Sequence, residues 1–429
     1  MDTEASVVEA GVSSRLGSIE GPRNDSSSDH GKSVSLLRPF YPALDGLRAC
    51  AFLAVFMDHY VSRVIPWRIF PWGWVGVDIF FVLSGFLITG ILYDSLHRKS
   101  YFKNFYIRRS LRIFPLYYTF WFGLLLLTPL LHCEWNRYNL SSLLYLQNFL
   151  LLGAARGLHP SPGHVIFHLN HVFRHPQFLE ATTLWSLCVE EHFYLLWPGI
   201  VFLLRSRRKL LAFSLAIIVM APIVRAIYIH VRPEMLQTGV LYSNSFSRFD
   251  TLLVGAALAL WLRGNPPPLA TLRRYAFCAL FGCPLLLIGL LMCEKSPVGD
   301  GRFDPIISTV GFSLIAVASA GLLLLALERE SALARVLQLR PLASLGRISY
   351  GLYFWHALPH PIFLSLIPSF SHRHLALMVP LLSFGCTLLL AILSFHYIES
   401  PFLRLKNRWA PTTGHRSDPA PDRPHQFKF

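Results

Sequence analysis

Ten long apolar runs alternate with short polar and basic segments along most of the chain. Each run holds about 20 residues, the length of a helix that crosses roughly 30 Å of hydrocarbon. The pattern therefore predicts an all-α fold, a polytopic transmembrane helical bundle. The ten predicted spans are 46–66, 72–92, 113–131, 183–204, 210–230, 247–263, 274–293, 304–327, 348–368 and 376–398.

Two polar tails flank these runs. Residues 1–38 are rich in Ser, Gly and charge, and residues 411–429 are polar and rich in Pro. Such segments cannot bury enough apolar surface to fold, so we expect both tails to be disordered. The predicted organisation is a tail over 1–38, one transmembrane domain over 39–405 and a second tail over 406–429. The polar N-terminus does not resemble a cleavable signal peptide.

Composition supports a membrane protein and argues against other classes. The chain is 53% hydrophobic and only 15% charged, with a mean hydropathy of +0.44, whereas soluble domains carry about 25% charged residues. The net charge of +15 does not indicate nucleic-acid binding, because the basic residues lie between the apolar runs. The 7 cysteines show no paired metal-ligand spacing and indicate no disulfide framework.

The distribution of Lys and Arg predicts that both termini are cytoplasmic. With that orientation, 28 of the 39 basic residues fall on the inner side and 10 on the outer side. The long outer loop 132–182 carries only 3 of them. An excess of positive charge marks the cytoplasmic loops of membrane proteins.

The outer loop is long enough to hold structure of its own, and residues 163–175 are predicted to form a helix. Ser161 would cap this helix, and Pro162 would occupy its first position. One face of this predicted helix carries four histidines, His164, His168, His171 and His175. Four histidines on one face are consistent with a zinc site or with the polar face of an interfacial helix. No metal is expected to take part in the chemistry.

Charged residues inside apolar runs are candidates for function, because each costs about 2.5–3.5 kcal/mol at the bilayer centre. In the first span, Arg48 and His59 are 11 residues apart, so they point the same way about 16 Å apart along the helix. A buried histidine can take a proton from an attacking hydroxyl, which makes His59 a candidate general base. Asp58 would hold a negative charge nearby, although adjacent residues on a helix point about 100° apart.

The same reasoning places other ionisable groups by depth. Glu190 and His356 lie within about 5 Å of the depth of His59, so the three could share one buried layer. Near the cytoplasmic face, three arginines at the start of the third span form a basic mouth that suits phosphate groups. Coenzyme A is a polyanion with its thioester at the far end, and its extended arm could reach from that mouth to His59.

Seven short motifs occur in a fixed order along the spans. The first three are Arg48-x10-His59 within YPALDGLRACAFLAVFMDH, GVDIFFVLSGFL over 76–87, and Arg108-Arg109 with Arg112-Ile113 and Pro115. The others are Leu184-Trp185-Ser186-Leu187 with Val189-Glu190-Glu191 and Phe193-Tyr194, Arg248-Phe249-Asp250 with Gly255, Leu345-Gly346 with Ser349-Tyr350, Tyr353 and His356, and Tyr397 with Glu399-Ser400-Pro401. Together they resemble acyltransferase family 3, the membrane-bound O-acyltransferases of the OafA type, over about 38–405.

The resemblance implies ten core spans and transfer of an acyl group, often acetyl, from cytoplasmic acyl-CoA. The implied acceptor is a hydroxyl of a carbohydrate or glycoconjugate, as in lipopolysaccharide, exopolysaccharide or peptidoglycan modification, and the implied location is a bacterial inner membrane. His59 matches the essential histidine of the family and Arg48 its arginine partner. Family members commonly place another residue where His192 stands, a departure that concerns the acceptor.

The predicted site residues form three groups. The catalytic group is His59, Arg48, Asp58 and Glu190. The group predicted to bind acyl-CoA is Arg108, Arg109, Arg112, Tyr397 and Glu399. The group predicted to bind the acceptor is Arg248, Asp250, His356 and Tyr353.

Structural interpretations and other functions stay open at this point. The three arginines are also consistent with ordinary cytoplasmic anchors, Arg248 and Asp250 with a structural salt bridge, and Tyr397 and Glu399 with a lock on the last helix. His59 could also carry the acyl group covalently. The alternative functions are a transporter or flippase of glycans or lipids, which would use the buried charges as a path, and a membrane receptor or scaffold. The chain shows no internal repeat of the transporter kind.

Overall fold

A computed structural model of the chain describes residues 41–61, 72–135, 137–150, 164–167, 177–236, 239–294, 304–359, 362–363 and 373–410. Helices dominate this part of the chain. They are α1 Pro42–Phe56, α2 Val75–Asp94, α3 Tyr101–Leu126, α4 Thr128–Leu131, α5 Arg137–Ser142, α6 Gln147–Leu150, α7 Trp185–Leu204, α8 Arg207–Val231, α9 Val240–Ser243, α10 Ser245–Leu262, α11 Leu269–Phe277, α12 Cys283–Cys293, α13 Phe312–Leu327, α14 Ala332–Leu337, α15 Arg340–Arg347, α16 Ser349–Trp355, α17 Arg373–Ser394 and α18 Ser400–Trp409. Short 3₁₀ turns occur at Ala181–Leu184 and Pro233–Met235, and π-helical turns at Met57–Val61, Cys278–Gly282, Ile307–Gly311 and Phe395–Glu399.

Seven helical segments are long and apolar enough to cross a membrane. Each of them overlaps one of the ten predicted spans, so the prediction of a helical integral membrane protein is confirmed. The segments are Val75–Asp94, Trp185–Leu204, Arg207–Val231, Ser245–Leu262, Leu269–Cys293, Ile307–Leu327 and Met378–Lys406.

The three other predicted spans remain predictions, each for a separate reason. The first is helical from Pro42 to Val61, and its predicted end lies outside the described residues. Helix α3 is 26 residues long, but its first half carries four basic residues and lowers its mean hydropathy. The ninth is helical over Ser349–Trp355, and most of its second half is not described.

The bundle has a buried centre and an apolar periphery. In α10 and α13, 78% and 72% of the most apolar window is buried, whereas in α8 and in the α11–α12 segment only 17% is buried. The exposed side chains of the peripheral helices are large and apolar, as in Leu285 and Val219. An apolar exposed surface of this kind is the expected lipid-facing side of a membrane bundle.

Glycines set the closest helix contacts at the centre. Gly85 of α2 faces the backbone of Leu252 in α10, and Gly255 of α10 faces the backbone of Val82 in α2, so that a Cβ at either glycine would overlap a carbonyl oxygen. A second such contact joins α1 and α15, where Gly346 meets the backbone of Asp45. Small residues let membrane helices approach closely without a hydrophobic driving force.

The loop 132–182 contains a small antiparallel sheet in the order β1-β2-β3, formed by Cys133–Glu134, His164–Phe167 and Gln177–Glu180. In the register, Cys133 is paired with Phe167 and His164 with Glu180. The predicted helix over 163–175 is therefore wrong for 164–167. The sequence HVIF is rich in β-branched and aromatic residues, which favour a strand. The other three histidines of the predicted helix lie outside the described residues.

The glycine contacts yield a stability prediction. Gly255→Val is expected to destabilise the detergent-solubilised protein by about 1–3 kcal/mol, because the added side chain forces α2 and α10 apart. The measurement is the thermal midpoint followed by size-exclusion chromatography. Gly289→Val in α12 is the matched control, since a Cβ there meets nothing within 4 Å. Equal midpoints for the two variants would show that the close contact contributes no stability.

Candidate active site

A cavity of about 310 Å³ opens between helices α1, α2, α3, α7, α16 and α18. We call it the arginine cavity, after the cations that line it: Arg48, Arg108, Arg109, Arg112 and Lys406. Its apolar lining consists of Val77, Phe80, Phe81, Leu83, Leu87, Ile91, Phe105, Ile113 and Leu187. The remaining lining residues are Ser84, Ser186, Glu190, Tyr194, Ser349, Tyr350 and Tyr353.

Helix α3 supplies three of the cations. Arg108 and Arg112 are one turn apart, and Arg109 lies beside them, so all three face the cavity. The sequence placed them at a helix N-terminus, and this is wrong because α3 begins at Tyr101, about two turns earlier. Any anion at this site is therefore bound by the guanidinium groups and not by the dipole of the helix end.

The contacts of the arginines differ. Arg48 forms an ion pair with Asp45 at 2.7 Å, and Arg108 donates a hydrogen bond to the Ala410 carbonyl at 2.7 Å. The Arg109 guanidinium lies over the ring of Tyr194, 4.9 Å from its centroid. In the described part of the chain, neither Arg109 nor Arg112 forms an ion pair within 4.0 Å.

Glu190 is the carboxylate of the arginine cavity. It lies beside Ser84 and Tyr194, and its charge acts on Arg109 and Arg112. The Ser84 and Tyr194 hydroxyls are 2.5 Å apart. The depth argument grouped Glu190 with His59, but the structure brings it to the cations of the cavity wall, and His59 does not line the cavity.

Tyr353 of α16 belongs to the lining of the arginine cavity. Its hydroxyl is 2.6 Å from the Ser186 hydroxyl and donates to the Thr183 carbonyl at 3.2 Å. Its ring makes an edge contact with Phe80, with centroids 5.9 Å apart. The Tyr353 ring also contacts the ring of His356, three positions further along the chain, with centroids 5.2 Å apart.

His356 in turn forms a pair with His59. The His59 Nδ1 atom lies 3.2 Å from the His356 Nε2 atom, and the two rings are within 6° of parallel. His356 is fully buried, and its Nδ1 lies 2.5 Å from the Tyr353 carbonyl oxygen. The Tyr60 hydroxyl also donates to the His356 carbonyl at 2.7 Å.

This hydrogen-bond chain assigns the tautomers of both rings. A carbonyl oxygen only accepts, so His356 Nδ1 carries a proton, and its Nε2 accepts from His59 Nδ1–H. With its proton on Nδ1, the neutral His59 ring has Nε2 as its unprotonated nitrogen. His59 lies on the π-helical turn Met57–Val61, a local distortion that is frequent at functional sites.

Other predicted site residues lie elsewhere. Asp58 is buried and does not line the arginine cavity. Tyr397 is 72% exposed and does not line it either. Glu399 is buried on the π-helical turn before α18, where Arg112 acts on it electrostatically and the Ser394 hydroxyl donates to it at 3.4 Å.

Arg248 and Asp250 belong to two separate buried ion pairs. Arg248 is fully buried, pairs with Asp78 of α2 and lies over the Phe312 ring at 4.2 Å. Asp250 accepts from Arg225 at 3.0 Å and from the Ser313 hydroxyl at 2.6 Å. Residues two apart on a helix do not face each other, which explains why the two do not pair. Neither residue lines the arginine cavity.

Sequence reasoning missed several of these residues. Asp78 and Arg225 are charged positions inside apolar runs, and the rule that singled out Arg248 applies equally to them. Ser186 and Tyr194 lie within one of the seven motifs, where only the carboxylates were assigned a role. Lys406 gave no signal, because it falls in a polar segment. No group of three metal-ligating side chains occurs in the described ranges.

Comparisons with known proteins identify the family. The model of the acyltransferase domain of acyltransferase family 3 matches residues 41–396. The chain therefore belongs to acyltransferase family 3, and the predicted resemblance is confirmed.

Curated relatives carry consistent names. The chain is 32% identical to the putative peptidoglycan O-acetyltransferase YrhL of Bacillus subtilis, with 84% of this chain and 55% of the relative aligned. It is 28% identical to the peptidoglycan O-acetyltransferase OatA of Listeria monocytogenes, with 85% and 56% aligned, and 28% identical to the O-acetyltransferase OatA of Staphylococcus aureus, with 84% and 57% aligned. The chain thus spans about half the length of these relatives. No solved structure matches it.

The Arg248–Asp78 pair yields a second stability prediction. Arg248→Met is expected to cost about 3–5 kcal/mol, because it leaves the Asp78 carboxylate buried without its partner. The double variant Arg248→Met with Asp78→Leu is expected to regain most of that stability. Thermal midpoints in detergent measure both effects, and Arg232→Met, which breaks an exposed ion pair with Glu234, is the control. A double variant no more stable than the single one would argue against a structural pair.

Proposed function

We propose that this protein is an integral membrane O-acyltransferase that transfers an acetyl group from acetyl-CoA to a hydroxyl of a carbohydrate acceptor. The observation that carries the proposal is the arginine cavity, which is lined by five cations and by Tyr353, whose ring contacts His356 of the His59–His356 pair. A polyanion with a reactive thioester at the end of a long uncharged arm matches this combination of groups. Both termini are proposed to be cytoplasmic, in a bacterial plasma membrane.

The donor is assigned by charge. Arg109 and Arg112 have no ion-pair partner among the described residues, and Lys406 and Arg108 lie close to them. Arginine binds phosphate oxygens through two parallel hydrogen bonds, and coenzyme A carries a diphosphate and a 3′-phosphate. The pantetheine arm would follow the apolar lining toward Tyr353. Arg48, about 16 Å from His59 along the helix, would orient the donor.

The acceptor is proposed from the names of the relatives. Two of them are named peptidoglycan O-acetyltransferases, which favours a cell-wall glycan over lipopolysaccharide or exopolysaccharide for this chain. The acceptor would approach His59 from the side of the bundle opposite the arginines. The loop 132–182, which contains the three-stranded sheet, and His192 of α7 would contribute to acceptor recognition.

The proposed chemistry uses His59 as a general base. The acceptor hydroxyl gives its proton to His59 Nε2 while its oxygen attacks the thioester carbonyl. The carbon–sulfur bond then breaks, and the coenzyme A thiolate takes the proton from His59. His356 holds the required tautomer, and Asp58 would balance the charge that develops on His59. Tyr353 lines the cavity and contacts His356, and rotation of its side chain would let the thioester reach His59. A two-step route through acyl-His59 is the variant, and labelled protein formed without acceptor would reveal it.

The first test is coenzyme A release by the purified protein in detergent, with acetyl-CoA and a mixture of cell-wall glycans. His59→Ala is expected to reduce turnover by about 10²–10⁴-fold, the range of general base catalysis. His230→Ala is the matched control, because His230 is an exposed histidine on α8. A wild-type protein that neither turns over nor binds acetyl-CoA would favour the transporter or flippase instead.

The His59–His356 pair yields a prediction about tautomer control. His356→Leu removes the acceptor for His59 Nδ1–H and is expected to lower kcat about 10–100-fold, the range seen when a hydrogen bond that orients a histidine is lost. His356→Gln offers a carbonyl oxygen at the same place and is expected to restore part of the loss. The KM for acetyl-CoA is expected to stay unchanged in both variants. Equal loss in the Leu and Gln variants would contradict the assigned role of His356.

A further inference from the structure

The helix α18 Ser400–Trp409, which begins after the predicted span 376–398, contributes to the wall of the arginine cavity. It begins with Pro401 at an early helical position, which favours helix initiation. The predicted tail started at residue 406, but the helix continues for four residues beyond the boundary at 405. It lies against α3, the helix that carries the cavity arginines.

Arg108 ties this helix to α3 at its C-terminal end. The guanidinium donates to the carbonyl of Ala410, the C-cap residue of α18, which is fully buried. A cation at the C-terminus of a helix is favourable, because the last carbonyls have no partner within the helix and carry partial negative charge. Arg108 therefore has two roles: it holds α18 through this hydrogen bond, and its guanidinium also lines the arginine cavity.

The held helix brings Lys406 into the arginine cavity. Lys406 is half-buried, and the charges of Arg108, Arg112 and Arg109 all act on it. In the described part of the chain, its ammonium group has no hydrogen bond and no ion pair. Four cations this close repel each other, and side chains as flexible as lysine separate in water unless an anion lies between them.

We propose that Lys406 binds a phosphate group of the acyl donor, and that α18, tied to α3 by Arg108, forms the outer wall of this phosphate site. The proposal rests on the proposed function and extends it to a residue outside the seven motifs. An anionic lipid headgroup carries the same phosphate chemistry, so the test must separate donor phosphate from lipid phosphate.

The experiment compares three donors with Lys406→Gln: acetyl-CoA, its 3′-dephospho analogue and acetyl-pantetheine, which has no diphosphate or 3′-phosphate. The variant is expected to lower kcat/KM for acetyl-CoA about tenfold, through KM, as for the loss of one hydrogen bond between charged groups. With acetyl-pantetheine, variant and wild type are expected to be equal. The 3′-dephospho donor tells whether Lys406 contacts the 3′-phosphate or the diphosphate.

Two matched variants complete the design. Lys406→Arg keeps the charge and is expected to retain kcat/KM for acetyl-CoA within about threefold. Arg404→Gln removes a charge from the same helix, but Arg404 is exposed and does not line the cavity, so it is expected to have no effect. Turnover of acetyl-pantetheine also reports that each variant is folded.

Two results would overturn the proposal. The first is an unchanged kcat/KM for acetyl-CoA in Lys406→Gln, and the second is an equal loss of kcat/KM with all three donors. The same assays are repeated in vesicles that contain different amounts of phosphatidylglycerol. A loss of kcat/KM in Lys406→Gln that depends on the phosphatidylglycerol content, and not on the donor, would assign Lys406 to a lipid headgroup. Failure of the wild type to use acetyl-CoA at all is a different result, because it rejects the proposed function before Lys406 is tested.

Discussion

A charged side chain inside a bilayer is unstable unless it finds a partner, water or a ligand, and this constraint divides the charges of the bundle into two sets. Arg225 and Asp250 satisfy each other with help from Ser313, and Arg248 is enclosed by Asp78 and an aromatic ring. Arg109, Arg112 and Lys406 have no such partner among the described residues and converge on one cavity. Charge that the fold leaves unneutralised is what makes this cavity a candidate for an anionic substrate.

The paired set depends on the glycine contacts. Arg248 lies on α10 and Asp78 on α2, and these two helices approach each other through Gly85 and Gly255. A wider spacing would separate the buried guanidinium from its carboxylate, and both groups would then lose most of their Coulomb energy in a medium of low dielectric. The close packing of α2 and α10 therefore also holds in place the α2 residues that line the arginine cavity, including Phe80 and Phe81.

The sequence predicted the helical bundle well, because apolar runs of span length leave few alternatives to a membrane helix. It also predicted the basic mouth, since spacing along one helix decides which residues share a face. It could not assign partners between helices. Arg248 was paired with a neighbour in sequence, although its carboxylate lies 170 positions away. Depth along the membrane normal put Glu190 beside His59, but depth carries no information about the direction in which each side chain points.

The position of His59 has a consequence for how the proposed reaction is organised. His59 does not line the arginine cavity, whereas Tyr353 lines it and contacts His356, which in turn contacts His59. A general base that shared an open chamber with the thioester would also activate water and hydrolyse the donor. In the proposed reaction the base meets the thioester only when the Tyr353 side chain rotates, and excluding water from the site favours transfer over hydrolysis. Tyr353, held by Ser186 and the Thr183 carbonyl, would then link the arrival of the donor at the arginines to its encounter with the base.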